Sequence, residues 1–335
     1  MKRTSLQDIA NEVGLSKTTV SWILNNKGQE HNINPKTIEK VLEAAKIMNY
    51  FPNYLAKSLS LGKSNTIGLI VPRITDSHFA QIAETLEKEA YALNYTVIYG
   101  SAEEQKHKEH NLIHTFLGKQ VDGLIIASSL YNSEDIELLK HKNFPFVLID
   151  RYYPEIETNF VIVEDEGGAY SIVSELTHKN KKRIGFVTVN SHLLPLKLRE
   201  EGYKRALTSA AINVDRSLIK EVDFNNIKTS TYNNVKDLVC NHHVDAIFFT
   251  THYLAANGFK CLKELNLSIP DDITICCFGD SHYLGLLDSP ITVIPMPAER
   301  IGQEALRILF NSMKHKNQSV ETVVLPVKTR IRKAL

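Results

Sequence analysis

Long apolar runs are missing from this sequence, and none approaches the roughly 20 residues that cross a bilayer. Its opening, MKRTSLQDIANEV, also contains no hydrophobic stretch of signal-peptide length. Neither sign of charge dominates, because 39 Lys and Arg residues balance 38 Asp and Glu residues. We therefore expect a soluble cytoplasmic protein with no membrane partner, whose total charge indicates no class of ligand.

Cysteine pairs and the common enzyme motifs are missing as well. LGKS at 61–64 has the end of a phosphate-binding loop, but Lys57 stands where such a loop requires its upstream glycine. The four cysteines show no C-x-x-C spacing. We predict that all four are reduced core residues and that the protein is not an enzyme and uses no cofactor; the cysteines are Cys240, Cys261, Cys276 and Cys277.

Three histidines recur at helical spacing in KHKEHNLIHTFLGKQ. His107, His110 and His114 could hold a metal ion, since they share one face of a predicted helix. No cysteine or carboxylate completes the set in the sequence, so we predict a solvated helix face and no metal site.

The first 50 residues have the pattern of three short helices. Ser5 and Asp8 have the spacing of a capping box, and Ser16 caps a second helix after a glycine ends the first. Asn34 followed by Pro35 begins a third helix. This spacing predicts a helix-turn-helix. The apolar stripes that would form its core are Leu6, Ile9, Ala10 and Val13, and Ile38, Val41, Leu42 and Ala45.

The second helix, within GLSKTTVSWILNN at 14–26, separates into two faces at about 100° per residue. One face is predicted to pack on the other helices, and it consists of Thr19, Val20, Ile23 and Leu24. The other face is predicted to enter the major groove of DNA, with Lys17 and Thr18 as the first base contacts. Its residues are Lys17, Thr18, Ser21, Trp22 and Asn25.

Two of these residues have a second interpretation. Trp22, the only tryptophan, would more often be a core residue because its large apolar surface is best buried. Its position beside Thr18 favours contact with a thymine methyl group or the sugar-phosphate edge. Lys17 could be merely solvated, as most lysines are, but its place in the first turn of the polar face favours a DNA contact.

A short segment at 51–62 follows this domain and contains Tyr54, Ala56 and Leu59. It is too short to hold helical structure alone and therefore needs a partner. Ordered against DNA and a symmetry mate, it would place a leucine in the minor groove and kink the duplex. The alternative is a simple amphipathic linker.

The stretches TSLQDIANEVGLSKTTVSWILN and NYFPNYLAKSL resemble the DNA-binding domain and hinge helix of the LacI/GalR family of bacterial transcription repressors. The resemblance implies that Leu59 intercalates at the operator centre, with Ala56 and Lys57 nearby. Trp22 departs from the family, in which Arg or His is commoner at that position, and the linker NNKGQEHNINPKT is longer than usual. The predicted DNA contacts are Ser5, Ser16, Lys17, Thr18, Ser21, Trp22, Asn25, Tyr54, Ala56, Lys57 and Leu59.

From about residue 64 onward, short strands rich in Val and Ile alternate with helical stretches. The predicted strands are NTIGLIVP, YTVIYG, VDGLIIAS, FPFVLID, KRIGFVTV, VDAIFFT and ITICCF. The alternation predicts two lobes with parallel sheets, and a ligand of such a pair binds at the carboxyl ends of the strands, between the lobes.

VLIDR, KKRIGFV, REEGYKRAL and SIPDDITICCFGD extend the resemblance over the whole chain, to the family's periplasmic-binding-protein-like (type I) sensor. It implies that Asp150 faces the cleft, that Arg199 contacts the effector and that Phe224 stacks on it. From the residues alone, Asp150 could instead cap a turn, Arg199 could form a surface ion pair, and Phe224 could be a core residue.

Two departures from the family bear on the effector. Gly279 stands in place of the aspartate that commonly holds sugar hydroxyls, and Thr251 and His252 replace an Asn-Asp pair. The cleft thus loses two acidic groups and gains a cation at low pH, a loss that Asp280 or Glu164 could offset. These changes favour a sugar phosphate, a sugar acid or another small metabolite over an ordinary sugar. The predicted effector contacts are Asp76, Asp150, Arg199, Phe224, Thr251, His252 and Asp280.

We therefore predict a homodimeric repressor that binds a pseudo-palindromic site on double-stranded DNA and is controlled by a sugar or sugar derivative. The alternatives are a small-molecule receptor without DNA function and a two-lobed sugar-processing enzyme. The predicted domains are a helix-turn-helix at 1–50, a hinge at 51–62 and an effector-binding and dimerisation domain at 63–335. Within it, lobe 1 is predicted at 63–160 and 290–322, and lobe 2 at 161–289 and 323–335.

Overall fold

Three helices, α1 (Leu6–Val13), α2 (Lys17–Leu24) and α3 (Pro35–Ile47), form the first unit of the computed structural model. The structure describes residues 4–51, 62–286, 289–315 and 319–332. The chain divides into two units, residues 1–64 and 65–335.

The predicted caps of this first unit are present. Ser5 accepts a hydrogen bond from the backbone N–H of Asp8, whose side chain in turn accepts from the Ser5 N–H. Gly14 ends α1 in the left-handed conformation, with a φ of 71°, and Ser16 accepts from the Thr19 N–H. The backbone polar groups at these helix ends are thus satisfied over very short connections, which permits the sharp turn between α1 and α2.

The core of the first unit is built from the predicted apolar faces, and its buried side chains include Ile9, Val13, Val20, Ile23 and Val41. Five of the positions predicted to pack in this core are less buried than expected. Leu42 is half exposed, and Leu6, Thr19, Leu24 and Ile38 are only partly buried.

The second unit contains two six-stranded sheets. The first has the order β11-β5-β4-β3-β1-β2 and is parallel throughout. Its strands are β1 (Thr66–Val71), β2 (Thr96–Ser101), β3 (Gly123–Ile126), β4 (Phe146–Ile149), β5 (Phe160–Val163) and β11 (Thr322–Leu325).

The second sheet has the order β12-β10-β9-β8-β6-β7, and only its edge strand β12 is antiparallel to its neighbour. Its strands are β6 (Ile184–Val189), β7 (Ile219–Val222), β8 (Ala246–Phe249), β9 (Thr274–Phe278), β10 (Ile291–Ile294) and β12 (Arg330–Arg332). The prediction of two lobes with parallel sheets is confirmed, with this one antiparallel edge.

Helices follow most of the parallel strands. They are α4 (Ser77–Ala92), α5 (Lys106–Gly118), α6 (Ser133–His141), α7 (Asp165–His178), α8 (Leu194–Ser209), α9 (Ile227–Cys240), α10 (His252–Glu264) and α11 (Ala298–Lys314). Short 3-10 turns occupy Arg216–Leu218, Phe224–Asn226 and His282–Leu286. Packing joins α4 to α11, α7 to α8 and α9 to α10.

The lobe boundaries predicted from the sequence are wrong by one strand at each crossing. β5 lies in the first sheet rather than in lobe 2, β10 lies in the second sheet rather than in lobe 1, and β11 lies in the first sheet. The chain therefore changes lobe after the carboxyl end of each of these strands.

Three of the four cysteines are buried, as predicted: Cys261, Cys276 and Cys277. Cys240 is exposed at the end of α9, so the prediction of a core position is wrong for that residue. Within residues 4–51, 62–286, 289–315 and 319–332, we find no helix with the length and apolar character that a membrane span requires.

Candidate functional site

The polar face of α2 is accessible. Lys17, Thr18 and Asn25 are exposed and Ser21 is partly exposed, whereas Val20 and Ile23 on the opposite face are buried. Helix α2 is thus held through its apolar side and presents hydrogen-bonding groups, with a cation in its first turn. Such a surface can pair with base edges and phosphates.

The serine hydroxyls near this face are already engaged. Ser5 Oγ donates to Asp8 Oδ2 at 2.8 Å, and Ser16 Oγ lies 2.8 Å from Thr19 Oγ1. Asn25 Nδ2 donates to the Ser21 carbonyl oxygen at 2.8 Å. These contacts stabilise the helix ends, so Lys17 and Thr18 are the more available groups for a ligand.

Trp22 is neither a core residue nor a free side chain. Its indole is 37% exposed and stacks on the imidazole of His31, with ring centroids 3.7 Å apart and 13° between the ring planes. His31 belongs to the connection between α2 and α3 that is longer than usual in the sequence. His31 was not among the predicted DNA contacts, and the length of this connection was its only sign in the sequence.

The predicted hinge contacts Tyr54, Ala56, Lys57 and Leu59 lie outside the described residues.

A cavity of about 600 Å³ lies in the second unit and is lined from both lobes. The first lobe contributes residues that follow β1, β2 and β4, and the second contributes residues that follow β6, β7, β8 and β9. The cavity therefore lies at the carboxyl ends of both parallel sheets, where ligands of this architecture bind. Its polar lining includes Arg73, Asp76, His78, Glu104, Asp150, Arg151, Asn190, His192, Arg199, Lys228, Thr251, His252 and Asn257.

Asp76 and Asp150 supply carboxylates to this lining. Asp76 caps α4 by accepting the His78 N–H at 2.9 Å, and Asp150 Oδ1 lies 3.7 Å from His78 Nε2. His252, from the other lobe, places Nε2 3.8 Å from Asp76 Oδ1 and 3.4 Å from Ser77 Oγ. These contacts link the two lobes across the cavity.

His78 and His252 are neutral near pH 7. Burial lowers the pKa of both imidazoles below the ordinary value of 6.5. Asp150 and Asp76 act in the opposite direction on the pKa of His78, and Asp76 and Asp280 do so on the pKa of His252. Positive charge in the lining at neutral pH therefore comes from arginine and lysine, including Arg73 and Lys228. His252 becomes a cation only in acid.

Arg199 lines the cavity but is buried and largely engaged. Its Nε donates to Asp165 Oδ1 at 2.8 Å, and Nη1 donates to the Thr250 carbonyl oxygen at 2.7 Å. Nη2 lies 2.7 Å from the same Asp165 oxygen, and the guanidinium lies 3.8 Å from the Phe278 ring centroid. Arg199 thus forms an ion pair, as the alternative interpretation of the sequence predicted, but this pair is buried rather than at the surface. Of five N–H groups, these contacts use three.

Phe224 and Gly279 shape the second-lobe wall. Phe224 is half-buried, and the guanidinium of Arg73 lies 4.6 Å from its ring centroid. Gly279 has a φ of 84°, and a Cβ built there would stand 3.2 Å from His252 Nδ1. The glycine that replaces the family's aspartate thus leaves room for the histidine that replaces a second acidic residue. Thr251 is the residue before α10 and also lines the cavity.

Asp280 and Glu164 do not lie among the cavity-lining residues. Asp280 is bound by two arginines of β12, Arg330 and Arg332, the latter with Nε 2.7 Å from Asp280 Oδ1. Glu164 is exposed immediately before α7. Neither residue supplies a carboxylate to the cavity wall, because Asp280 is bound to the β12 arginines and Glu164 is exposed.

Arg151 and Glu104 form a bidentate ion pair in the cavity wall, and neither residue was predicted from the sequence. Arg151 donates from Nη1 and Nη2 to the two Glu104 oxygens, both at 2.7 Å, and from Nη1 to the Ser128 carbonyl oxygen at 3.0 Å. Burial opposes the charge, but Glu104 and Asp150 outweigh it and raise the pKa of the guanidinium. Arg151 ends the motif VLIDR, directly after a predicted strand, and this position was a signal that it could line the cavity.

Comparisons with known proteins agree with the two-unit organisation. Residues 5–53 match the bacterial regulatory proteins of the lacI family, and residues 173–334 match a periplasmic binding protein-like domain. Catabolite control protein A of Priestia megaterium is 30% identical over 332 residues, which cover 98% of each chain.

Solved structures show the same fold. The lac repressor dimer bound to operator and the anti-inducer ONPF has a TM-score of 0.86, with 22% identity and complete coverage of both chains. A LacI family transcriptional regulator from Enterococcus faecium with bound ribose has a TM-score of 0.71, with 26% identity over 80% of this chain and 98% of that one. Given the 30% identity with Catabolite control protein A along nearly all of both chains, this chain belongs to the lacI family of bacterial regulatory proteins.

Proposed function

We propose that the protein is a transcription repressor whose affinity for operator DNA is controlled by a small molecule bound between its lobes. The observation that carries the proposal is the accessible face of α2, with Lys17 and Thr18 exposed over a buried apolar side. The family's regulators, rather than enzymes, are the precedent for this chain. Its place of action would be the cytoplasm, where operator DNA lies.

The DNA contact would use the first turn of α2. A lysine there can bind guanine acceptors or phosphate, and Thr18 can contact either a base edge or a thymine methyl group. A two-fold homodimer would place two copies of α2 on half-sites of a pseudo-palindromic operator. Trp22 would contact the duplex with the indole face that His31 leaves uncovered.

The hinge completes this proposal. By the resemblance to the family, Leu59 would enter the minor groove at the operator centre, with Tyr54, Ala56 and Lys57 beside it. The cost of unstacking the base step would be offset by the closer contact of α2 with the bent duplex.

The effector would be a sugar or a sugar derivative. Asp76 and Asp150 can accept hydrogen bonds from vicinal hydroxyl groups, and the free N–H groups of Arg199 can donate to them. Phe224 supplies a ring face for the apolar side of a sugar. Arg73 and Lys228 suit a phosphate or carboxylate substituent. The effector shifts the protein between two states only by its difference in affinity for them.

The DNA proposal is tested by selection from a random double-stranded library, followed by affinity measurements on the enriched sequence. We expect a symmetric motif, and we expect Lys17→Ala and Thr18→Ala each to cost about 1–3 kcal/mol of binding. Lys119→Ala removes an exposed lysine from the second unit and should leave affinity unchanged. Failure to enrich any symmetric motif would favour a receptor without DNA function.

The effector proposal is tested by thermal-shift measurements with sugars, sugar phosphates and sugar acids. Asp76→Asn is the informative variant, because Asn caps α4 as well as Asp does but lacks the charge. We expect a compound that raises the melting temperature of the wild type and has less effect on Asp76→Asn. The proposal fails for Asp76 if the variant responds identically to that compound.

A further inference from the structure

Helices α5 and α6 of the first lobe bring two histidines and an aspartate together. His110 and His114 are one helical turn apart on α5, and their ring centroids are 4.3 Å apart. His110 Nδ1 lies 2.8 Å from Asp135 Oδ2, and His114 Nε2 lies 3.1 Å from Asp135 Oδ1. The prediction that no carboxylate completes this histidine set is therefore wrong, since Asp135 reaches it from the next helix.

The carboxylate of this cluster is buried and hydrogen-bonded, whereas its two imidazoles are half exposed. The Asp135 side chain is only 6% exposed, and Asn132 Nδ2 donates to its Oδ2 at 2.6 Å. The imidazoles are 50% and 46% exposed, so an ion in solution can reach them. An orienting hydrogen bond to a buried carboxylate, with imidazoles open to solvent, is the arrangement that supports metal ligands in proteins.

We propose that His110, His114 and Asp135 bind a divalent transition-metal ion, for which zinc is the probe. One ligand atom from each residue lies within 4.8 Å of the others. Tetrahedral zinc with Zn–N and Zn–O distances near 2.0–2.2 Å holds neighbouring ligand atoms about 3.3 Å apart. His114 Nε2 and Asp135 Oδ1 are 3.1 Å apart, close to that separation, so these two ligands require little movement.

The donor set also selects the class of ion. Two imidazole nitrogens and one carboxylate oxygen suit zinc and its transition-metal neighbours, whereas magnesium and calcium prefer oxygen ligands. Asp135 Oδ1 would coordinate the ion while Oδ2 keeps its contact with Asn132. Water would complete the coordination. In the described part of the chain, no other group of three His, Cys, Asp or Glu side chains converges in this way.

Calorimetric titration of the full-length protein with zinc, in buffer freed of other metals, tests the proposal. We expect one saturable zinc site per chain. Loss of a group that only supports a metal ligand weakens metal binding about 10- to 100-fold. His110→Gln and His114→Gln each remove a ligand, so we expect each to weaken zinc binding by at least that factor. His107→Gln is the matched control, because His107 is exposed on the same helix and outside the cluster. Equal binding by wild type and both ligand variants, or no saturable binding, would overturn the proposal.

Cobalt(II) absorption provides a second readout. A histidine-aspartate contact that binds no metal would not produce it. We expect the visible absorption of a low-symmetry cobalt site in the wild type and in His107→Gln, and its loss in Asp135→Asn. Circular dichroism and melting without metal identify any variant that has unfolded. A folded Asp135→Asn variant that keeps the full cobalt spectrum would contradict the proposal. This inference does not depend on the proposed regulatory function.

Discussion

Trp22 and His31 stack face to face, and their ring centroids are 3.7 Å apart. The contact joins the polar face of α2 to the connection that precedes α3. It leaves the indole 37% exposed while fixing one of its faces. His31 therefore limits the orientations in which Trp22 can meet a duplex.

His31→Ala should release the indole. Aromatic pairs contribute about 0.5–1.5 kcal/mol, so we expect a loss of stability of the first unit within that range. Because Trp22 is the only tryptophan, intrinsic fluorescence reports this contact directly. The emission spectrum should change in His31→Ala and remain unchanged in Gln29→Ala, an exposed substitution in the same connection. Identical spectra for wild type and His31→Ala would show that the stack does not persist in solution.

Substitutions at Ser16 and Thr18 should affect different properties, namely the stability of the first unit and its affinity for operator DNA. Ser16→Ala removes the cap of α2 and should cost about 1 kcal/mol of stability, measured by hydrogen exchange of amides in the first unit. Thr18→Ala should lower operator affinity with little change in exchange, because the Thr18 side chain is exposed. Equal protection of the α2 amides in wild type and Ser16→Ala would contradict the assigned cap.

Arg199→Ala should destabilise the second unit as well as alter the cavity. It leaves the Asp165 carboxylate buried without its partner, a change that costs about 3–5 kcal/mol. Chemical denaturation measures this loss. Replacing both residues, in Arg199→Met with Asp165→Leu, should recover much of the stability, since no charge then remains buried. A wild-type denaturation midpoint for Arg199→Ala would disprove this account.

His252 should make stability fall in acid. Its pKa is lowered in the folded protein, chiefly by burial, so below about pH 6.5 the unfolded chain takes up a proton that the folded chain does not. Above that pH both states are neutral at this residue and the effect vanishes. Each unit of pKa lowering corresponds to about 1.4 kcal/mol. His252→Gln should therefore lose less stability than wild type between pH 6.5 and 5; parallel curves would refute the prediction.

Gly202 should not tolerate a methyl group. A Cβ there would lie 2.3 Å from the Glu166 carbonyl oxygen, where α7 and α8 pack closely. Overpacking typically costs about 1–3 kcal/mol, and here a backbone atom must move. Gly118→Ala, at an open position on α5, should leave the melting temperature unchanged or slightly higher. Equal melting of Gly202→Ala and wild type would show that the two helices can separate without cost.

Local features were the predictable part of this fold. Ser5, Ser16 and Asn34 act on backbone groups only a few residues away, so their sequence spacing is enough to identify them. The interior strands β1, β3, β4, β6, β8 and β9 were equally clear because both of their faces are buried and their sequences are rich in apolar residues. The interior strands β5 and β10 were not predicted. The edge strand β11 was also missed, and two of its four residues are exposed.

Polar partnerships across the fold were not predictable. Arg199 meets Asp165 from a different helix, and His110 meets Asp135 from another element, so spacing along the chain carries no sign of either contact. For the same reason, Asp280 was expected to line the cavity, whereas arginines of β12, a strand distant in the sequence, bind it. Trp22 shows a related limit, because a helical wheel identifies the outward direction but not the loop residue that covers it.

The three crossings between the lobes have a consequence for how this gene can be rearranged. Each sheet is assembled from separated stretches of the chain, whereas the helix-turn-helix unit is encoded without interruption. A single exchange of coding sequence could thus give the protein a new DNA reader, but no single exchange could replace one lobe. The sensor must therefore be inherited, and redesigned, as a whole.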